Sequence, residues 1–487
     1  MTKTPHRPDL GAAVGNVKAS PTKAFFVRML TRDIELEDAL LDLLDNCVDG
    51  AVRAGKHTTT SADRPYDGYF ACITLGPAYF AIEDNCGGIP VETAKNYAFA
   101  MGRPEGADLM SPATVGMYGI GMKRSIFKLG TEALVESRND KGFVVEFSHE
   151  WMKDDSWNDL PMYKLDDKEL KDKGTRIVVY DLHNDVKNAF ANRSWRDELK
   201  KTISRHYSII IDKGFSVTIG LDSTLSSEKP IRAEPFKLLQ TEKSTDGSQI
   251  APYVYHGKIG QVDVEIYAGL YRQLMSEEEI ETEEETRGSA DDAGWTVACN
   301  DRVVLWKDKT RFTGWGEATV PNYHGQFIPI TGIVLLRSND PKELPLTTTK
   351  RGIDAGSNVY SEIKDLMREA TKSLTSFTNK WKKFPQQRDE LYRSSEYVDL
   401  PALRKLPSTL SMAKVHKSAG MRKYAPKYPE PIQAKTSVRV AFVALKSDVE
   451  RLSRHYFDND QAKASDVGEA AFNTVLAGIR ASGKRRK

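Results

Sequence analysis

The chain has 487 residues, enough for about three domains at roughly 150 residues each and for several buried cores. Apolar residues make up 40% and charged residues 28%, which excludes wholesale disorder. Seventy basic against 68 acidic residues leave +2, which excludes a histone-like polycation and gives no chain-wide reason for a polyanionic partner.

Residues 1–24 are polar, broken by Pro and Gly, and read as an arm. The next stretch, 25–225, mixes helical and strand periods. A helix is expected at 35–54, strands at 69–75 and 78–83, and a helix after Pro90. A Gly-rich stretch at 102–121 opens a helix at 122–129. Strands follow at 131–138, 142–148 and 175–181, then a helix at 193–207 and a strand at 214–220. Meander connections among helices suggest an α+β sandwich, not a doubly wound parallel sheet. A second unit, 226–380, shows strand patterns at 252–257, 261–268, 295–299 and 328–337 and closes with a helix near 357–378. Residues 277–285 carry seven glutamates and read as a solvated loop or helix flank. Beyond it, 381–435 reads as a basic, Pro-containing linker, and 436–487 as a helical region with a basic tail.

Four stretches carry candidate chemistry. On the 35–54 helix, Leu36, Leu40, Leu43, Cys47 and Ala51 make an apolar stripe. Asp38, Asp42, Asp45, Asn46 and Asp49 make the polar one. Asp42 and Asn46 are one helical turn apart, a carboxylate able to activate water beside an amide oxygen that suits Mg²⁺. The second stretch is AIEDNCGGIP at 81–90. Asp84 ends a strand there and can accept from an exocyclic amine such as that of adenine, while Gly87 and Gly88 let a flat ligand approach the backbone. In the third, Gly116, Gly119 and Gly121 precede Met122 and Lys123 at a helix start, where amide donors, the helix dipole and the ammonium attract phosphate. The spacing is neither a Walker A loop nor a Rossmann fingerprint. The fourth is the Gly174–Thr175 strand start in KGTRIVVY.

In this order and span, the four motifs resemble the GHKL ATPase superfamily of gyrases, heat-shock chaperones, histidine kinases, and MutL and MORC proteins. The resemblance covers about residues 30–220 and implies a Bergerat-type α/β sandwich binding ATP and Mg²⁺. It places Asn46 on the metal, Asp84 on the adenine amine and Thr175 in support of the adenine side. Gly116, Gly119, Gly121 and Lys123 would form a lid over the phosphates, with Asp49, Gly88 and Met122 also lining the nucleotide. Asp42 stands where the gyrase, MutL and MORC branch has its water-activating glutamate. The side chain is one methylene shorter, roughly 1–1.5 Å, a misplacement that can cost on the order of 10²-fold in rate. Hydrolysis is therefore expected to be slow. Cys86 replaces the first glycine of the family's Asp-x-Gly-x-Gly, which makes its thiol a candidate for alkylation.

LPLTTTKRGID at 344–354 places Lys350 in a Thr-rich loop before a helix. In gyrase- and MutL-like proteins a ribosomal-S5-like transducer domain sends such a lysine to the γ-phosphate; the resemblance gives Lys350 that catalytic role, with Arg351 as its substitute. The 30 or so residues before the first motif are too few for a kinase phospho-acceptor hairpin, and the C-terminal region is short for a DNA-cleaving or chaperone domain. What remains resembles a prokaryotic MORC/MutL-like protein, and the resemblance implies pairing into a homodimer when ATP closes the lid. Residues 402–440 hold nine Lys/Arg against one Glu, with Tyr424 and Tyr428 among them, so this segment and the tail are candidates for binding DNA or another nucleic acid. Genome maintenance or defence against foreign DNA is the process expected. The alternative is a nucleotide-gated subunit that docks a protein effector, with little turnover and no DNA contact. Trp295, Trp306 and Trp315 read as core, and His324 is assigned no site. Four cysteines make no disulfide framework and lack CxxC spacing. No run of about 18 apolar residues or signal-peptide pattern appears, so a cytoplasmic protein without membrane contact is expected.

Overall fold

Alternation decides the first sheet. Ala71, Ile73, Leu75, Phe80, Ile82, Val135, Val145, Ile177 and Val179 are buried, while Cys72, Glu83, Glu132 and Arg176 between them are only half-buried. The computed structural model describes residues 14–15, 21–55, 63–100, 120–166, 169–170, 172–275, 292–347, 350–382, 384–408, 410, 412–414, 421–432 and 440–483. Strands β1 (Phe70–Leu75), β2 (Tyr79–Asp84), β3 (Gly130–Arg138), β4 (Gly142–Phe147), β5 (Met162–Lys164), β6 (Gly174–Leu182) and β7 (Ser216–Leu221) form one sheet in the order β5-β4-β3-β6-β2-β1-β7. All neighbours are antiparallel except β1 and β7.

Helices cover the apolar face of this sheet. Besides α1 (Lys23–Arg32), they are α2 (Leu36–Ala54), α3 (Gly121–Leu129), α4 (Asn184–Ala191) and α5 (Arg193–His206). Leu40, Leu44, Cys47 and Val48 of α2 share one core with Ile126 and Phe127 of α3 and Leu199 and Ile203 of α5. The chain takes up structure slightly earlier than expected, because Thr22 caps α1 and Lys23 is tied down. The Lys23 ammonium donates to the Trp151 carbonyl at 2.5 Å and lies 3.7 Å from the centre of that indole ring. After Pro90 the expected helix is short: Val91–Thr93 runs straight into a π turn, Ala94–Ala98.

A second sheet follows. Strand β8 (Lys237–Gln240) leads to β9 (Tyr253–Ile259), β10 (Val262–Leu270), β11 (Gly294–Cys299), β12 (Arg302–Asp308) and β13 (Ile330–Arg337). Helix α6 (Asn358–Trp381) belongs to the same core, contributing Ile363, Met367, Ala370, Leu374, Phe377 and Trp381 at helical spacing. Trp295 is core, as expected, and its Nε1 donates to Thr371 Oγ1 at 3.0 Å. His324 Nδ1 accepts from the Gln326 amide at 3.4 Å and merely caps a short turn.

The basic stretch expected as a linker is part of this body. Strand β14 (Glu396–Asp399) pairs with β8, and β15 (Ala413–Lys414) and β16 (Arg422–Tyr424) extend the second sheet to β12-β11-β13-β10-β9-β16-β15. The two tyrosines proposed to stack on bases are engaged internally. Tyr424 OH accepts from Gln249 Nε2 at 2.7 Å, and the Tyr428 ring lies 5.0 Å from that of Phe377. Edge backbone needs partners, and β9 offers one that a composition argument does not reveal.

Residues 1–431 thus form one compact mixed α+β body, and 432–487 a second. The boundary expected near 226 separates two sheets but not two bodies. The second body carries helices α7 (Lys446–Phe457) and α8 (Ala464–Gly483), as its helical spacing predicts. Among the described residues no helix is long and apolar enough to cross a membrane. Tyr428→Ala is expected to lower the unfolding free energy of the larger body by about 3 kcal/mol in urea denaturation. A change within about 0.5 kcal/mol would return this segment to a linker.

Candidate functional site

Helix α2 starts with acids in its first turn, Glu37 and Asp38, where the helix dipole favours them. From Ala39 to Ala51 every residue is buried except Asn46. Asp42, Asp45 and Asp49 are each 4% exposed or less. Carboxylates stripped of water at this density need cations. Those cations come from three other places in the fold.

The β11–β12 hairpin supplies the first. Asn300 and Asp301 both have positive φ, 47° and 68°, the geometry of a two-residue turn joining Cys299 to its partner Arg302. Arg302 is 1% exposed. Its Nε donates to Asp45 Oδ1 at 2.9 Å, its Nη1 to the Val303 and His206 carbonyls, and its guanidinium lies 4.2 Å from the centre of the Tyr207 ring. The Tyr207 hydroxyl lies 2.7 Å from Asp45 Oδ1. Asp301 fixes the hairpin tip by accepting from Lys213 at 2.5 Å, Tyr66 at 3.2 Å and Arg337 at 3.0 Å.

The 344–354 loop supplies two more. An isolated bridge between Leu346 and Ile353 closes it, and Lys350 sits at its tip with φ 55°, a left-handed conformation costly for a residue with a Cβ. Lys350 Nζ is 3.0 Å from Asp45 Oδ2 and 3.6 Å from Asp42 Oδ1. Arg351 forms an ion pair with Asp38 at 2.5 Å. The fourth cation is Arg124 on α3, ion-paired with Asp42 Oδ2.

This packing sets the protonation states. Burial pushes the Asp45 carboxyl up, but Lys350 and Arg302 outweigh it and hold it down to about 2. Burial likewise depresses the Lys350 ammonium, and Asp45 with Asp42 overrides that, raising it above the ordinary lysine value. His206, against the Val303 carbonyl, is pushed down to about 3 by burial and Arg302, and is neutral at physiological pH.

At the end of β2, Asp84 Oδ1 accepts from the Cys86 amide at 2.7 Å, and burial raises its carboxyl above the usual range. Asp84 pairs in register with Thr175, whose hydroxyl is 3.0 Å from Ser137 Oγ. The turn requires glycine at Gly88: φ is 67°, and a Cβ would lie 2.1 Å from the Arg138 carbonyl oxygen. The turn also abuts α2, since a Cβ at Gly50 would be 2.8 Å from the Cys86 carbonyl oxygen. The Asp84 turn, Thr175 and α2 therefore belong to one end of the sandwich.

The structure changes three residue readings. Lys123 is buried and donates to the Ala98 carbonyl at 2.9 Å, with burial pushing its ammonium down to about 8. Met122 packs against the core. Helical phase turns Lys123 inward, and Arg124 is the cation that α3 presents to the acids, although Gly121 does start the helix beside Asp42. Cys86 is 3% exposed, and burial beside Asp84 pushes its thiol well above the ordinary value, so the expected alkylation sensitivity has no physical basis. Gly116 and Gly119 lie outside the described residues. Sequence reasoning missed Asp45, Arg302 and Arg124 as partners, and the Asn300–Asp301 dipeptide is too short a turn signal to have exposed the hairpin that delivers Arg302.

No family model and no curated protein matches the chain.

Removing one partner of a buried ion pair strands the other, so Arg302→Ala and Asp45→Asn should each cost about 3–5 kcal/mol at neutral pH. Because Asp45 is held below its unfolded value of 3.8, its contribution is full above that value and lost as pH falls toward 2. About 2 kcal/mol of the gap between wild type and Asp45→Asn should therefore close over that window, read by denaturant titration at stepped pH.

Proposed function

We propose that the chain is a Mg²⁺-dependent ATPase of the GHKL type, a nucleotide-gated clamp whose two protomers pair when ATP binds. The observation that carries this reading is Lys350 seated between Asp42 and Asp45, one turn from Asn46, the single exposed side chain on an otherwise buried stretch of α2. A lysine delivered from the second sheet to this place suits the sensing of a terminal phosphate. Further support comes from the Asp84–Thr175 pairing at the same end, where a carboxylate can meet an exocyclic amine.

The exposed Asn46 amide oxygen, among the acids of α2, is a donor of the kind Mg²⁺ takes together with substrate phosphates. When bound, the ion offsets phosphate charge. Asp42 takes a proton from water as its oxygen attacks the γ-phosphorus; the bond to the bridging oxygen breaks, ADP leaves with the electron pair, and the proton passes to phosphate. Lys350 steadies the charge on the γ-phosphoryl oxygens.

A second reading has its own support. Both oxygens of Asp42 face cations, and much of the described basic segment is spent internally: Arg404 on Glu265, Lys423 on Glu369, Lys427 on Asp246. That favours a nucleotide-gated subunit docking a protein effector over a DNA clamp in genome maintenance or defence. Salt-dependent DNA binding separates the two.

Calorimetry should show Mg²⁺-dependent ATP binding. Asp42→Asn should slow single-turnover hydrolysis by about 10²-fold with affinity nearly unchanged. A non-hydrolysable analogue should produce a dimer that ADP does not, and Lys350→Ala should abolish that dimer. No nucleotide binding by the folded wild type would remove the proposal.

A further inference from the structure

We propose that Arg124 is a positioning residue that keeps Asp42 out of action until the terminal phosphate of a bound nucleoside triphosphate draws its guanidinium away. This rests on the reading of Asp42 as the water-activating carboxylate, and names the regulation of that site.

The two Asp42 oxygens are claimed from opposite sides. Oδ2 is ion-paired with Arg124, and Oδ1 faces Lys350 at 3.6 Å. A carboxylate oxygen engaged by a guanidinium is poorly placed to take a proton from a water, and Lys350 stands beside the other oxygen. The two cations are not equally held. Lys350 has a closer partner in Asp45, at 3.0 Å, and keeps it on leaving Asp42. Among the described residues Arg124 has no second carboxylate, and its Nε is buried without a hydrogen-bond partner. A guanidinium with a buried, unmatched donor gains by moving to a ligand rich in acceptor oxygens. Arg124 also lies in the first turn of α3, whose opening Gly121 is next to Asp42. Of the two cations that touch Asp42, Arg124 has the fewer partners, so an arriving polyanion competes for it first.

Charged and titratable groups face Asp42 from every element packed against it. Its own helix contributes Asp38, Asp45 and Asp49, α3 contributes Arg124, and the 344–354 loop Lys350 and Arg351. Arg302 comes from β12, and His206 and Tyr207 from the end of α5. Burial and Arg302 keep His206 neutral, and burial raises the Tyr207 hydroxyl above the ordinary tyrosine value, so neither titrates between about pH 5 and 8.

The test is the pH profile of ATP hydrolysis by the full chain with Mg²⁺, read as kcat/KM for the free protein and as kcat for the nucleotide-bound protein, for wild type, Arg124→Gln, Arg124→Met and Arg124→Lys, with urea midpoints measured alongside. Loss of the cation should move the acid limb of kcat/KM up by about one pH unit in Arg124→Gln and Arg124→Met and leave the limb of kcat where wild type has it, because bound nucleotide has already drawn the guanidinium away. Arg124→Lys should restore the wild-type limb of kcat/KM. An unmoved limb of kcat/KM, or a limb of kcat that moves with it, overturns the proposal and leaves the ATPase reading standing. Asp42→Asn hydrolysing as fast as wild type overturns both.

Discussion

Asp45 is a carboxylate with almost no contact with water, and the larger body is organised around satisfying it. Burying such a charge costs several kcal/mol unless it is paired and hydrogen-bonded. Tyr207, from the first sheet's layer, meets only part of the need. The charge partners, Arg302 and Lys350, come from the second sheet's hairpin and loop. Helix α2 with its four aspartates is thus unsuited to stand without the second half, whereas either sheet alone has an ordinary apolar core. This explains why a chain that reads as two consecutive domains folds as one body through residue 431.

Elements with strong periodicity were legible from sequence. The apolar stripe of α2, the strands of the first sheet and the long closing helix α6 lie within a few residues of the expected places, because burial on one face repeats at 3.6 or 2.0 residues. Strand β12 was missed, since Asn300–Asp301 reverses the chain in only two residues and leaves no loop to see. Strands β14 and β16 were missed for another reason. They are short and lie in a basic, Pro-rich stretch, and only the open edges of β8 and β9 make them strands.

The site was half legible on the same grounds. Spacing pointed to Asp42 and Asn46 and the family resemblance to Lys350, and Lys350 does reach α2 across a sequence separation of 305 residues. Spacing could not settle which of two adjacent cations, Lys123 or Arg124, turns toward the acids. That is a matter of helical phase: Lys123 shares a face with Phe127, which is committed to the core, so Arg124 points the other way. Nor did the sequence distinguish Asp45 from its neighbours, because a buried acid is recognised by its partners, and these lie far away in the chain.

Counting the bonds that hold each cation shows where the network can yield. Arg302 has Asp45, two carbonyls and the Tyr207 ring, and Asp301 beside it is gripped by three more groups. The hairpin is over-determined and serves as a fixed pin. Lys350 stands on a backbone conformation that costs of order 1 kcal/mol and has one close and one longer contact. A rearrangement at this end of the sandwich therefore runs through the 344–354 loop and the start of α3, not through the hairpin. Lys350 touches both Asp42 and Asp45, so any ligand that shifts it changes at once the freedom of one carboxylate and the grip between the two sheets. A single ammonium in that position is sufficient to couple the carboxylates of α2 to the seating of the second sheet.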